Sequence, residues 1–93
     1  MIEDLTPSAL VVLDHIAADG PKAPRDISRQ YKVPLRTVTF ALKKLMKLKL
    51  LRKVPNLMDM RRPLYHLDDG RVRELEDIIE TVRVQTGIHL RAI

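Results

Sequence analysis

With 93 residues, the chain has room for one small domain with a modest core and a largely wet surface. It has no cysteine, which excludes disulfides and thiolate metal sites, and no apolar run near the ~20 residues of a membrane span. The net charge of +5 conceals an uneven layout: residues 22–62 hold 13 Lys/Arg against only Asp26 and Asp59, a balance of +11, between flanks at −4 and −2. A basic middle between acidic ends is the electrostatic footprint of a face that meets a polyanion. Residues 1–5 carry Glu3 and Asp4 without a cation, unlike a signal peptide, so a soluble cytoplasmic protein is the expectation.

In chain order, Thr6-Pro7-Ser8 offers a hydroxyl N-cap and then proline at the first helical position. This predicts a helix through Ala9 to about Ala18, stopped by Asp19-Gly20-Pro21. Leu10, Val11, Val12, Leu13 and Ile16 cover more than one stripe, so the helix is buried on several sides, one of them available to a partner subunit. His15 is placed on its rim rather than in a metal site. Lys22-Ala23 is long enough for one edge strand. Pro24 opens a second helix, Arg25 to about Tyr31, with Ile27 and Tyr31 inward and Arg25, Arg29 and Lys32 outward. Val33-Pro34 then breaks the chain, because the residue before proline avoids helical angles. Two helices joined by a tight turn form the helix-turn-helix pattern.

The third helix, expected over residues 34–48, organises the rest. On a 3.6-residue wheel, Val38, Ala41, Leu42 and Leu45 fall on one side and Arg36, Phe40, Lys43 and Lys47 on the other. Lys44 flanks the cationic side, and Thr37 and Thr39 sit at the borders. Such a helix docks on a core and offers charge outward. Two plainer readings compete: a solvated lysine face, and Phe40 as a core aromatic.

Residues 50–55 and 62–67 change period and read as a two-stranded hairpin around a loop from Asn56 to Met60. Arg61 and Arg62 make its tip basic, and Pro55 and Pro63 mark strand ends or an edge. Asp68-Asp69-Gly70 caps a last helix whose first turns hold Glu74, Glu76 and Asp77, as the helix dipole favours. Along it Val72, Leu75, Ile79, Val82 and Thr86 step by three and four, the spacing of a seam that packs on another helix. The expected dimer interface is therefore Leu10, Val12, Val72, Leu75, Ile79 and Val82, with packing inside one domain as the alternative. Gly87 is expected to end the helix, and the apolar Ile88, Leu90 and Ile93 to pack back.

The order helix, helix, helix, hairpin, helix resembles the winged-helix transcription regulators of bacteria and archaea, of the MarR and ArsR kind. Three stretches carry the likeness: Pro24-Arg25-Asp26-Ile27-Ser28, the run from Pro34 to Leu45, and Asp59-Met60-Arg61-Arg62-Pro63-Leu64-Tyr65-His66-Leu67. The resemblance covers residues 6–70 and implies a mainly α fold with a small β-hairpin. Residues 1–93 would form one domain: a three-helix core, a two-stranded wing with its tip at 56–62, and a C-terminal dimerisation helix and tail over 71–93. It also implies that Asp59 holds Arg61 in the wing, leaving Arg62 freer for the minor groove. Two departures stand out. Lys49 occupies the place where the family usually has glycine, so it must adopt a left-handed angle or the helix must end differently. Leu67-Asp68-Asp69-Gly70 also closes the wing one residue sooner than MarR-like wings usually do.

These readings converge on a homodimeric, sequence-specific regulator of double-stranded DNA. Arg36, Thr37, Thr39 and Phe40 are expected at base edges, arginine on guanine and phenylalanine on a thymine methyl. Lys43, Lys44, Lys47 and Arg25 are expected on phosphates, and Arg61 and Arg62 on the flanking backbone or minor groove. A non-specific architectural DNA coat and a protein-interaction module are the competing readings. An enzyme is disfavoured: the three histidines lie far apart, no glycine loop cradles phosphate, and no nucleophile has a base partner. A metal sensor is disfavoured as well, with no cysteine and His89 alone beyond the last helix. No cofactor is implied, and an effector pocket would have to form between subunits.

Overall fold

The computed structural model describes residues 5–93. Thr6, extended at φ −73° and ψ 160°, accepts the Ala9 N–H on its hydroxyl oxygen at 3.2 Å, and this cap starts α1 (Pro7–Asp19). Pro7 costs nothing there, since the first turn has no acceptor for its missing N–H. Gly20, at φ 85°, closes α1 by donating its N–H to the Ile16 carbonyl at 2.9 Å. Most of the apolar girth of α1 is buried: Ala9, Leu10, Val12, Leu13 and Ile16 are all 1% exposed or less, while Val11 is half-buried. The helix is wrapped by α3 (Leu35–Lys47), β2 (Leu64–Leu67) and α5 (Glu76–Thr86).

In α2 (Pro24–Tyr31), the Asp26 carboxylate accepts the Ala23 N–H at 3.3 Å and Ile27 supplies the buried contact. Lys32 then turns the chain in the left-handed region at φ 55°. The Ser28 hydroxyl donates to the Val33 carbonyl at 2.7 Å while the Val33 N–H donates to the Ser28 carbonyl at 3.2 Å. This reciprocal clasp fixes the direction in which α3 (Leu35–Lys47) leaves the turn. Its inward face is the one read from the wheel: Val38, Ala41, Leu42 and Leu45 are at most 2% exposed.

Lys49, at φ 62°, takes the left-handed angle that the missing glycine demands, and the Leu50 N–H reaches the Leu45 carbonyl at 3.0 Å. A left-handed non-glycine residue carries about 1–2 kcal/mol of strain, partly offset because glycine loosens the unfolded chain. Lys49→Gly is therefore expected to raise stability by about 0.5 kcal/mol, a rise of about 2–4 °C in Tm by thermal unfolding. An unchanged or lower Tm would show that Lys49 is unstrained.

β1 (Leu51–Val54) and β2 (Leu64–Leu67) pair antiparallel, with Leu51 opposite Leu67 and Val54 opposite Leu64. The edge strand expected at Lys22-Ala23 is a single bridge: Lys22 and Tyr65 exchange N–H···O bonds of 3.1 and 2.8 Å. This ties the wing to the start of α2.

The single last helix expected from the sequence is two helices, α4 (Asp69–Glu74) and α5 (Glu76–Thr86), with the break at Leu75. The Asp68 carboxylate caps α4 by accepting the Arg71 N–H at 3.2 Å. Arg71 in turn donates its Nε to the Leu48 carbonyl at 2.9 Å, pinning α4 to the end of α3. Leu75, Ile79 and Val82 then turn into the core, each 5% exposed or less. No glycine or proline marks this break; it is imposed by what the two helices pack against.

Gly87, left-handed at φ 68°, ends α5, and residues 88–93 fold back with Ile88 and Ile93 against the core. Asp14, 3% exposed on α1, anchors them: its Oδ1 accepts the N–H groups of Arg91, Ala92 and Ile93 at 3.0, 2.6 and 3.3 Å. Beside it His15 stacks on Tyr31 with ring centroids 3.5 Å apart, and Arg91 meets its Nδ1 at 3.2 Å. Burial first, and the Arg91 cation second, hold the His15 pKa below its usual value. No helix among the described residues is long and apolar enough to cross a membrane.

Candidate nucleic-acid interface

Opposite its buried face, α3 presents a cationic ridge. Arg36, Thr39, Phe40, Lys43 and Lys47 are exposed, and Thr37 and Lys44 are half-buried. Phe40 is 61% exposed, so it is no core aromatic, and the Lys44 Nζ lies 4.8 Å from its ring centroid. Among the described residues no carboxylate pairs with Arg36, Lys43 or Lys44, so their charge is offered outward. Thr39 donates its hydroxyl proton to the Arg36 carbonyl at 3.0 Å, which leaves its oxygen only an acceptor's role toward any ligand. Thr37 is set back toward the start of α1, in a cleft it shares with Thr6, Ser8 and Phe40.

The wing and α2 extend this ridge. A cleft of 510 Å³ separates them from α3, and Arg25, Arg29, Thr39, Asp59 and Arg62 all line it. Arg25 and Arg62 therefore share one opening with the ridge although they lie far apart in sequence. Asp59 holds both wing arginines, accepting from the Nε atoms of Arg61 at 3.4 Å and Arg62 at 3.5 Å. As the resemblance implies, Asp59 holds Arg61, by its backbone N–H at 3.1 Å as well as its Nε; the Arg61 side chain is 91% exposed, and that of Arg62, which lines the cleft, 61%.

The six residues expected to face a partner lie in one chain's own core. Leu10, Val12, Leu75, Ile79 and Val82 are 5% exposed or less, and Val72 is packed against them. The burial their spacing demands is supplied within the chain, by α1 meeting α5, so no partner is needed to cover them. Three further cations that no motif singles out join this face: Arg29 in the cleft and the exposed Arg52 and Lys53 on β1. Their excess charge was visible, but only the fold shows that strand and α2 flank the same ridge.

The winged helix DNA-binding domain family matches residues 5–70. No curated protein matches the chain by sequence. Among solved structures, the transcriptional regulator Tm0710 from Thermotoga maritima is 26% identical, with a TM-score of 0.66 over 88% of this chain and 57% of its own. The reduced form of MarR from E. coli is 25% identical, with a TM-score of 0.69 over 91% of this chain and 60% of its own. A probable transcriptional regulator from Pseudomonas aeruginosa, 22% identical, shares the fold with a TM-score of 0.70 over 95% of this chain and 70% of its own. The chain thus spans less than two thirds of the length of the first two.

Proposed function

Because the chain belongs to the winged helix DNA-binding domain family, we propose that it acts as a sequence-specific, homodimeric transcription regulator on double-stranded DNA. The observation that carries this reading is the ridge: Arg36, Lys43 and Lys44, which no carboxylate among the described residues pairs, share one face of α3 with the exposed Phe40, and the other face is locked into the core. In this reading α3 lies in the major groove, with Arg36 and Phe40 at base edges and Thr39 accepting from an adenine or cytosine amino group. Lys43, Lys44 and Lys47 face phosphates, with Arg25 and Arg29 on the adjoining strand. The wing arginines meet the flanking backbone or minor groove.

In the proposed dimer the apolar stripe stays inside each protomer, and the outward face of α5, where Val84 is 65% exposed, meets the copy. Two recognition helices would then lie about 34 Å apart over an inverted repeat. The test is selection of bound duplexes from a random pool, with molar mass by light scattering alongside. The expected result is an enriched inverted repeat bound by two chains. With about six phosphates neutralised, log K should fall against log salt with a slope of about −5. Uniform recovery of all sequences would instead favour the architectural reading, and salt-insensitive affinity would count against both.

A further inference from the structure

The tip of the wing is apolar, and nothing in the proposed reading uses it. Leu57, Met58 and Met60 are 88%, 95% and 70% exposed, more than any other large hydrophobic among the described residues. The tip is nonetheless built. Asn56 Oδ1 accepts the Met58 N–H at 3.1 Å, and the Asn56 carbonyl accepts the Asp59 N–H at 3.2 Å. Asp59 Oδ1 accepts the Arg61 N–H at 3.1 Å, and the Asp59 carbonyl accepts the Arg62 N–H at 3.0 Å. Two linked turns thus hold three apolar side chains out in water, against the hydrophobic effect.

The surroundings select the occupant. Arg61 and Arg62 follow directly, and Arg52 and Lys53 are exposed on the strand leading in. The one acid at the tip, Asp59, is engaged by both arginines. An apolar point in a cationic collar complements a surface with anionic rims and an apolar interior, and the minor groove, with its phosphate walls and stacked bases, is such a surface. We infer that the wing tip is a wedge: Met58, with Leu57 and Met60, enters the minor groove beside the α3 site and partly unstacks a base step, while Arg61 and Arg62 engage the bordering phosphates. Methionine suits this role, being unbranched, flexible and polarisable. The wedge selects pyrimidine–purine steps, which unstack most easily, and so adds specificity at positions without hydrogen-bonded readout.

This inference rests on the DNA-binding reading, and its test separates the two. Short duplexes recovered by the selection carry 2-aminopurine at successive flanking steps and a fluorophore pair at their ends. Wild-type protein is expected to raise the 2-aminopurine signal several-fold at one step and to bend the duplex by roughly 20–90°. The variant Leu57→Ser, Met58→Ser, Met60→Ser changes only exposed side chains, so circular dichroism should match wild type. It is expected to bind roughly 3–10-fold more weakly with the same salt slope, and to lose both the bend and the signal. Wild-type binding to a straight, stacked duplex overturns the wedge alone, as does a variant that still bends DNA. Failure of the wild type to shift any duplex overturns the DNA-binding reading as well.

Discussion

Reversing two charges on the ridge, Lys43→Glu with Lys44→Glu, is expected to weaken DNA binding by more than about 100-fold at about 0.1 M salt. Each lysine on a phosphate contributes about 0.9 to the salt slope, or a factor of about 8 at that concentration. Losing two such contacts costs about 60-fold, and repulsion between carboxylate and phosphate supplies the rest. The loss should be the same for every sequence, and the slope should flatten by about 2. The fold should survive, since Lys43 is exposed and Lys44 touches the exposed ring of Phe40 rather than the core. Arg36→Ala should behave differently, relaxing preference at one base position for about 1–3 kcal/mol. Titrations of fluorescent duplexes by anisotropy separate the two patterns. Full affinity in the lysine variant would mean that the ridge does not face DNA.

That ridge is legible in the sequence because a helix repeats every 3.6 residues. Val38, Ala41, Leu42 and Leu45 could only share a side, and they are the residues buried in α3. The strain at Lys49 was legible for a different reason: the resemblance places a glycine there, and the residue that replaces it is left-handed. Lys32 adopts the same geometry at φ 55° with no such marker, since its angle follows from the clasp between Ser28 and Val33. The periodicity of Val72, Leu75, Ile79 and Val82 showed an apolar seam but not what covers it, and α1 of the same chain does. Nor could it show the break at Leu75, which depends on Arg71 reaching the end of α3. That Asp59 holds Arg61 was legible only through the resemblance, and its second ion pair, with Arg62, follows from the turn that brings two consecutive arginines to one carboxylate. Long-range polar contacts are the least legible class, because nothing in local spacing announces them.

Asp14 is the strongest case, and Asp14→Ala is expected to cost about 2–3 kcal/mol of folding stability. Its carboxylate, almost fully buried, accepts three consecutive backbone N–H groups from residues 91–93, with the Arg91 guanidinium at 3.9 Å beyond them. Hydrogen bonds to a charged group contribute about 1.5–3 kcal/mol, and release of the segment would also expose Ile88 and Ile93. Against a total stability of about 5–15 kcal/mol this is a large share, and it should lower Tm by about 10–20 °C. Asp14→Asn is the informative control. All three N–H groups reach Oδ1, which an amide oxygen can replace, whereas the charge and the second oxygen's contact with the Arg91 N–H at 3.0 Å are lost. It should therefore lose roughly half as much. In the alanine variant, hydrogen exchange should rise at residues 88–93 before it rises in α3. A variant as stable as wild type, with those amides still protected, would show that the segment is held by its apolar contacts and that the buried carboxylate contributes nothing.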